Sequence, residues 1–481
     1  MASAALSNKR SVRLLYADTF AHAIAEFRTS NSDLTKSTPP IDPSHGRVLV
    51  CARVRPRIAD DPDDTYASVT ASSTTNTIVV HDGGVALNKP FMKHTVFHMS
   101  RVFDEVRIDA YESKLLHQHT TNDDICETLL AHWPDMFPTS PDGPFFGTTV
   151  FMYGKTGTGK TYTMAGITEA CPIIRALGVG RRIVLWLTPP PTIFTPIWHH
   201  PEPTVVTGSK SFIVAKHLIL DLFNDGAEAS FAEDAEGKVH ITGAQERVLD
   251  DPEHAMEAVR AAMQARHTVA TARNTTSSRS HLVMLFQLRQ RATFGGGEVS
   301  DTPANLAGDD TAARPGLQLG PVVQTITLVD LAGNENRYDQ MYHNAEQTKD
   351  AATINQSLAI LKDCIRAAAT HAKYIPYRGA TITRMLKKAF VDPTERTLFM
   401  GNLTSLPADL DQAIQTLKYM GLIKWDTKDF MSESKVQLTA PHQERTRSAL
   451  ARRPDHQYGR VVHRPKSAGL HRRQKNEQEG S

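Results

Sequence analysis

The sequence predicts an α/β layer fold with helices on both faces of its sheet. Three observations carry this reading. Short apolar runs alternate with longer amphipathic segments from Arg47 to Ile423. A glycine-rich turn at Gly154–Gly159 follows one apolar run directly. A second apolar run ends in an acid, Asp330.

The elements follow in order. A helix is expected around Tyr16–Phe27, inside a leader over 1–44 that closes on Pro39 and Pro40. The first clear strand is Arg47–Pro56, stopped by its proline. Val96–Val106 predicts a strand and a helix start, and a helix capped by Asn122 or Asp123 comes next. Phe145–Gly154 is a buried strand running into a glycine turn. The prolines between Pro189 and Pro203 mark a surface insertion. Phe212–Phe223 predicts a strand leading into a turn or short helix, and a helix starts at Asp251 with a proline just inside it. The strands HLVMLF and ITLVDL flank a glycine-rich excursion, Phe294–Gly316. Helices at ATINQSLAILKDCIRAAA and ATITRMLKKAF, the strand TLFMGNL and the helix DLDQAIQTLKYMGLI complete the pattern.

Composition adds bounds. The chain has 481 residues and a formal net charge of +2. Pro441–Ser481 holds ten basic and four acidic residues, a local +6, which leaves −4 for the rest. Residues 429–481 therefore read as a basic, weakly structured tail suited to an acidic surface. The basic Ala/Ser-rich N-terminus permits a transit leader, which no other feature supports. Cys51, Cys126, Cys171 and Cys364 form no CxxC pair, so neither a zinc site nor a disulfide framework is suggested. No apolar run approaches a membrane span, and no heptad repeat is long enough for a coiled coil.

GKTGTGKTYTM, 154–164, fits G-x-x-x-x-G-K-[ST]. Its glycines let backbone N–H groups converge on phosphate oxygens, and the following helix adds its dipole. Lys160 would place a charge at the β/γ-phosphates, and Thr161 would offer a hydroxyl to Mg²⁺. LVDLAG supplies a second magnesium-side acid, Asp330, then Gly333, where a backbone N–H can sense the γ-phosphate. NTTSSRSH, Asn274–His281, adds hydroxyls and Arg279 just before a strand.

RVRP, GKTGTGKTYTM, NTTSSRSH and DLAGNE, in this order, resemble the nucleotide-handling motifs of a kinesin motor domain. The likeness covers about 45–428 and implies a P-loop NTPase with a central, mostly parallel mixed sheet. It implies ATP and Mg²⁺ as ligands, ATP hydrolysis as the reaction and microtubules as the partner, in the cytoplasm on the cytoskeleton. Neither a specific nucleic acid nor a membrane is implied, and the chain is expected as a monomer or weak dimer. By this resemblance Arg53 and Pro56 line the adenine with Tyr162 stacked nearby, while Gly154, Lys155, Thr156, Gly157, Thr158, Gly159, Lys160 and Thr161 cradle the phosphates. Ser278 and Asp330 join Thr161 at the metal, and Ser277 places the attacking water. Arg279 and Glu335 close over the γ-phosphate, Gly333 senses it, and Asn355 steadies the head of the helix that follows. Lys373, Arg378, Arg384, Lys387 and Lys388 would meet acidic tubulin, with Arg384 the candidate for internal packing.

Asn334, LKDCIRA, YIPYRG and RVFDE resemble the internal-motor, microtubule-depolymerising subfamily. That subfamily's Lys-Val-Asp hairpin tip is missing from Val85–Phe97, and Lys155 replaces the usual glutamine. A nucleotide-gated tubulin-binding module with little turnover is the alternative. A GTPase is disfavoured because no N-K-x-D string occurs.

Overall fold

In the computed structural model the described residues are 9–31, 48–61, 66–73, 75–87, 89–103, 121–122, 124–125, 147–170, 205–215, 218–235, 239–249, 257–266, 280–291, 319–333, 345–423 and 431–438. All fall within one unit, Met1–Thr439. The Pro-rich and glycine-rich insertions lie outside them.

The chain begins with α1 (Lys9–Leu15) and α2 (Ala17–Ser30), where the sequence predicts one helix. Strands β1 (Val48–Val54), β2 (Val69–Ser72), β3 (Thr77–Ala86), β4 (Lys89–His98), β5 (Arg101–Phe103) and β6 (Thr148–Tyr153) follow. Next come α3 (Lys160–Ala170), β7 (Val205–Ala215), β8 (Leu218–Asp221), β9 (Ala227–Glu233), β10 (Val239–Thr242) and β11 (Arg247–Leu249). A helix over 257–266, α4, precedes β12 (His281–Arg291) and β13 (Leu319–Asp330). The chain continues through α5 (Ala345–Ala369), α6 (Thr381–Met385), α7 (Lys387–Val391), β14 (Arg396–Leu403), α8 (Leu410–Ile423) and β15 (Met431–Gln437).

The central sheet runs β10-β9-β8-β7-β12-β13-β6-β14-β1-β5. Its half from β13 to β5 pairs parallel throughout, and its arm from β12 outward is antiparallel. Strand alternation separates the two faces. Val50, Ala52, Phe151, Tyr153, Val329 and Phe399 join α5 and α8 in one buried cluster. Leu49, Cys51, Val150, Met152, Leu328 and Leu398 join α3 and α4 in another. Both faces are covered, so these strands read as near-continuous apolar runs. Helix α8 buries Leu410, Ala413, Leu417 and Met420 along one stripe. Helix α5 ends with His371 at φ 50. Ala372 N–H reaches Ala367 O at 2.8 Å and His371 N–H reaches Ala368 O at 3.3 Å, a terminus usually given to glycine.

Three departures from expectation follow. Phe212–Phe223 forms the hairpin β7–β8 rather than a strand and a turn or helix, with Ala215 opposite Leu218. A continuous apolar run fits either reading until a partner strand is known. ATITRMLKKAF breaks at Leu386 (φ −95, ψ 20), although Ile382, Leu386 and Phe390 keep helical spacing and enter one cluster. Residues 431–437, expected within the basic tail, add β15 to the edge of a second sheet, β15-β4-β3-β2. Every residue of β15 is exposed, so its order comes from backbone pairing to β4, which leaves no apolar signature.

Helices α1 and α2 cap that second sheet through Val12, Phe20, Ala23 and Ile24 against Tyr66 and Met92. The Arg13 guanidinium, 0% exposed, bonds Asp82 at 2.8 Å and Asp411 at 2.9 Å. The leader is thus tied to the motif-bearing region by a buried cation with two acid partners. Hairpin β3–β4 turns beside Leu87 (φ 50, 97% exposed). Lys93 on the same hairpin pairs with Glu433 of β15 at 2.7 Å.

Candidate nucleotide site

Parallel pairing brings the C-terminal ends of β13, β6, β14 and β1 to one edge, where α/β folds place ligands. Gly154 leaves β6 at φ 149, and a Cβ there would collide with Asn402 O of β14. Gly157 and Gly159 hold φ 84 and 88, conformations natural to glycine alone. Helix α3 begins at Lys160 and aims its N-terminus back into the turn. Thr156 and Gly157 form the exposed crest, whereas Thr158 is buried and donates to Lys155 O at 2.7 Å.

Lys160 is 8% exposed. Its ammonium donates to Gly154 O at 2.8 Å and Lys155 O at 3.0 Å. Thr161 Oγ1, in the first turn of α3, donates to Asp330 Oδ2 at the end of β13 at 2.6 Å. Asp330 is 1% exposed, and its Oδ1 is buried with no hydrogen-bond partner among the described residues. A hydroxyl and a carboxylate with a spare oxygen are the hard donors that Mg²⁺ takes. The site therefore fits the expected metal.

Arg53 sits 4% exposed beneath the turn rather than at its rim. It donates to Asn122 Oδ1 at 2.6 Å and Thr163 Oγ1 at 2.9 Å, and its guanidinium lies 5.5 Å from the Tyr162 ring centroid. Burial lowers its pKa. Tyr162 is 67% exposed and Pro56 half-buried, so both offer surface. Lys155 points outward, with Nζ 2.5 Å from Asp409. The first helical turn by Asn122 is capped by Thr121, which accepts from Asp124 N–H at 3.2 Å and donates back at 2.8 Å.

Gly333 is buried just past β13. Ser277, Ser278, Arg279 and Glu335 lie outside the described residues. Asn355 is interior to α5, which begins at Ala345, and so is not at the helix head.

Several contributors carry no motif. Arg266, at the end of α4, bonds Asp330 at 2.5 Å and Ser280 O at 2.9 Å. Its sequence signal is only that of one basic residue within an expected helix. Arg55 donates to Gly157 O at 2.9 Å and clamps Asp61, bracing the turn from outside. Thr163 joins Arg53, Asn402 and Gly159 O, locking α3 to β1 and β14.

His281 is 3% exposed. Its Nδ1 accepts Ala332 N–H at 3.1 Å, and Nε2 faces Ser357 Oγ at 3.1 Å. Because Nδ1 accepts, Nε2 carries the proton and donates to Ser357, whose own hydroxyl proton goes to Ile354 O. Burial, then Arg266, lowers its pKa to about 4. This neutral imidazole links the residue before Gly333 to α5.

Three of the five expected track-facing cations, Arg378, Arg384 and Lys387, meet at β9. Lys373, Arg378, Arg384 and Lys388 are exposed and Lys387 is half-buried. Arg378 and Lys387 both meet Glu233 of β9, Arg384 stacks 4.9 Å from the Phe231 centroid, and Lys388 pairs with Glu395 at 3.4 Å.

The "Kinesin motor domain" family profile matches residues 114–424. The diatom spindle kinesin-1 of Cylindrotheca fusiformis is 28% identical over 392 residues, covering 81% of this chain and 52% of that protein. The human kinesin-like protein KIF24 is 26% identical over 79% of this chain and 24% of its own length. The chain thus spans about half, or about a quarter, of the curated relatives it matches. A solved structure described as a fast kinesin aligns at 20% identity and a TM-score of 0.54, over 84% of this chain and 97% of that one. At that identity the match establishes the fold.

Proposed function

The chain belongs to the kinesin motor-domain family, and on that premise we propose that it is a microtubule-stimulated ATPase coupling ATP hydrolysis to changes in tubulin affinity. The observation that carries this reading is the meeting of Thr161 and Asp330 at 2.6 Å beside the buried Lys160. Phosphate binding, metal binding and acid placement all converge there.

Phosphoryl transfer needs charge neutralised and a water aligned, with little covalent help. Lys160 turns from backbone carbonyls to the phosphates, and loop N–H groups bind their oxygens. Thr161, Asp330 and Ser278 hold Mg²⁺, which neutralises phosphate charge when bound. Ser277 positions the water, while Arg279 and Glu335 close the site. Gly333 senses the γ-phosphate, and its neighbour Ala332 transmits that state to α5 through His281 and Ser357. Arg266 holds Asp330 in place. The basic surface of α5–α7 then binds or releases acidic tubulin, a change of state driven by loss of one phosphate.

Work at polymer ends, including depolymerisation, is the subfamily reading. Asn334, LKDCIRA and YIPYRG support it, and the Leu87 hairpin tip stands against it. The expected location is the microtubule cytoskeleton of the cytoplasm. ATP turnover with and without polymerised tubulin, beside Lys160→Ala, is the deciding assay. Stimulation of about tenfold or more, abolished in the variant, is expected. Polymer mass in the same tubes separates depolymerisation from translocation. Nucleotide-dependent cosedimentation without turnover would leave a binding module instead.

A further inference from the structure

The expected track-facing surface contains its own acid. Glu233, at the end of β9, lies between two of the five cations. Its Oε1 accepts from Lys387 Nζ at 2.8 Å, and its Oε2 from Arg378 Nη2 at 3.2 Å. Two residues earlier on the same strand, the Phe231 ring carries the Arg384 guanidinium. Lys387 also lies 5.0 Å from the Tyr377 ring centroid. Hairpin β9–β10 therefore engages three of the five cations, which belong to the turn before α6, to α6 and to α7.

The contact is fit for exchange rather than for holding the fold. The Glu233 side chain is 31% exposed and that of Arg378 is 67% exposed. Solvent screens the Arg378 pair, so it contributes little net stability, while Lys387, its side chain 15% exposed, makes the shorter bond. The two cations, Lys387 first, hold the Glu233 carboxyl below its usual range, so it is ionised at neutral pH. An acidic partner must either share these cations with Glu233 or displace it. Like charges brought together without displacement repel.

We propose that Glu233 is a built-in competitor for the acidic track, occupying Arg378 and Lys387 in the unbound chain and lowering its affinity for tubulin until the polymer's carboxylates replace it. This rests on the microtubule-binding reading above. Its consequence is a tuned surface. Removing the Glu233 charge raises affinity, although Glu233 itself lies inside the contact region.

Glu228 supplies the control. It lies on the same strand, is exposed, and is of opposite parity to Glu233 in the pleat. Glu228→Gln changes the net charge equally and so reports general electrostatic steering alone. The test is cosedimentation of the full chain with stabilised microtubules, in a non-hydrolysable ATP analogue and in ADP, at low and moderate salt. Glu233→Gln should tighten Kd by about threefold to tenfold at low salt, with the gain shrinking as salt rises. Glu228→Gln should change Kd by less than about twofold. In a double-mutant cycle, Arg378→Ala should remove at least half of the gain from Glu233→Gln. Far-UV circular dichroism and the urea midpoint of both glutamine variants should match the wild type, which reports intact folding.

If Glu233→Gln does no more than Glu228→Gln, or weakens binding because Glu233 positions its cations for the track, the competitor idea is overturned while the microtubule reading stands. If the wild-type chain binds no polymer in either nucleotide, that reading falls and the competitor idea falls with it.

Discussion

Lowering pH should destabilise this protein through His281 by an amount the structure sets. The imidazole is buried, neutral and doubly bonded, with Nδ1 accepting Ala332 N–H and Nε2 facing Ser357. Its pKa falls from the ordinary 6.5 to about 4, chiefly by desolvation. The unfolded chain therefore binds a proton here from about pH 6.5 downward, but the folded chain only near the lower value. Stability is fully present above the unfolded pKa, falls between the two values and levels below the folded one. At 1.36 kcal/mol per pKa unit the whole window is worth about 3 kcal/mol, and about 2 kcal/mol is lost between about pH 7.5 and about pH 5. Urea denaturation of the wild type and of His281→Gln at both pH values is the assay. His81 and His94, which burial also lowers, act with the same sign in both proteins and cancel in the difference. The wild type should lose about 2 kcal/mol more than the variant over that interval. Equal losses would refute a buried neutral imidazole at this position.

Other perturbations separate the site from its supports. Lys160→Ala should abolish turnover, and because it strips the buried ammonium from Gly154 O and Lys155 O it should also cost about 2 kcal/mol in urea. Asp330→Asn should weaken Mg²⁺-dependent nucleotide binding, read by fluorescent-nucleotide titration with and without EDTA. It also removes the carboxylate charge that pairs with the buried Arg266 and should cost about 3 kcal/mol in stability. Arg13→Ala leaves Asp82 and Asp411 without their shared buried cation and should cost about 3 kcal/mol, with protease cleavage appearing within α1 and α2. Lys155→Gln breaks only the partly exposed pair with Asp409 and should cost about 1 kcal/mol or less in urea, with turnover retained.

The sequence by itself determined the strands that bear the candidate site and the residue types at their ends. The turn 154–159, Lys160, Thr161 and Asp330 were legible because a phosphate cradle demands glycine, lysine, hydroxyl and acid at fixed spacing after buried strands. Helices α5 and α8 were legible because one face of each is buried, which writes a period into the residues. Tertiary structure alone decided the rest. Hairpin β7–β8 and strand β15 are defined by their pairing partners, and backbone hydrogen bonds leave no mark on side-chain choice. The roles of Arg266, His281 and Arg13 were invisible for a related reason. Each acts through a partner between 51 and 398 positions away, and a single charged or titratable residue does not say which distant group it will meet. Glu233 makes the same point on the surface. Its sequence neighbours, Ala232 and Asp234, point to no partner, and only the packing of β9 against the turn and helices after α5 sets it between two cations.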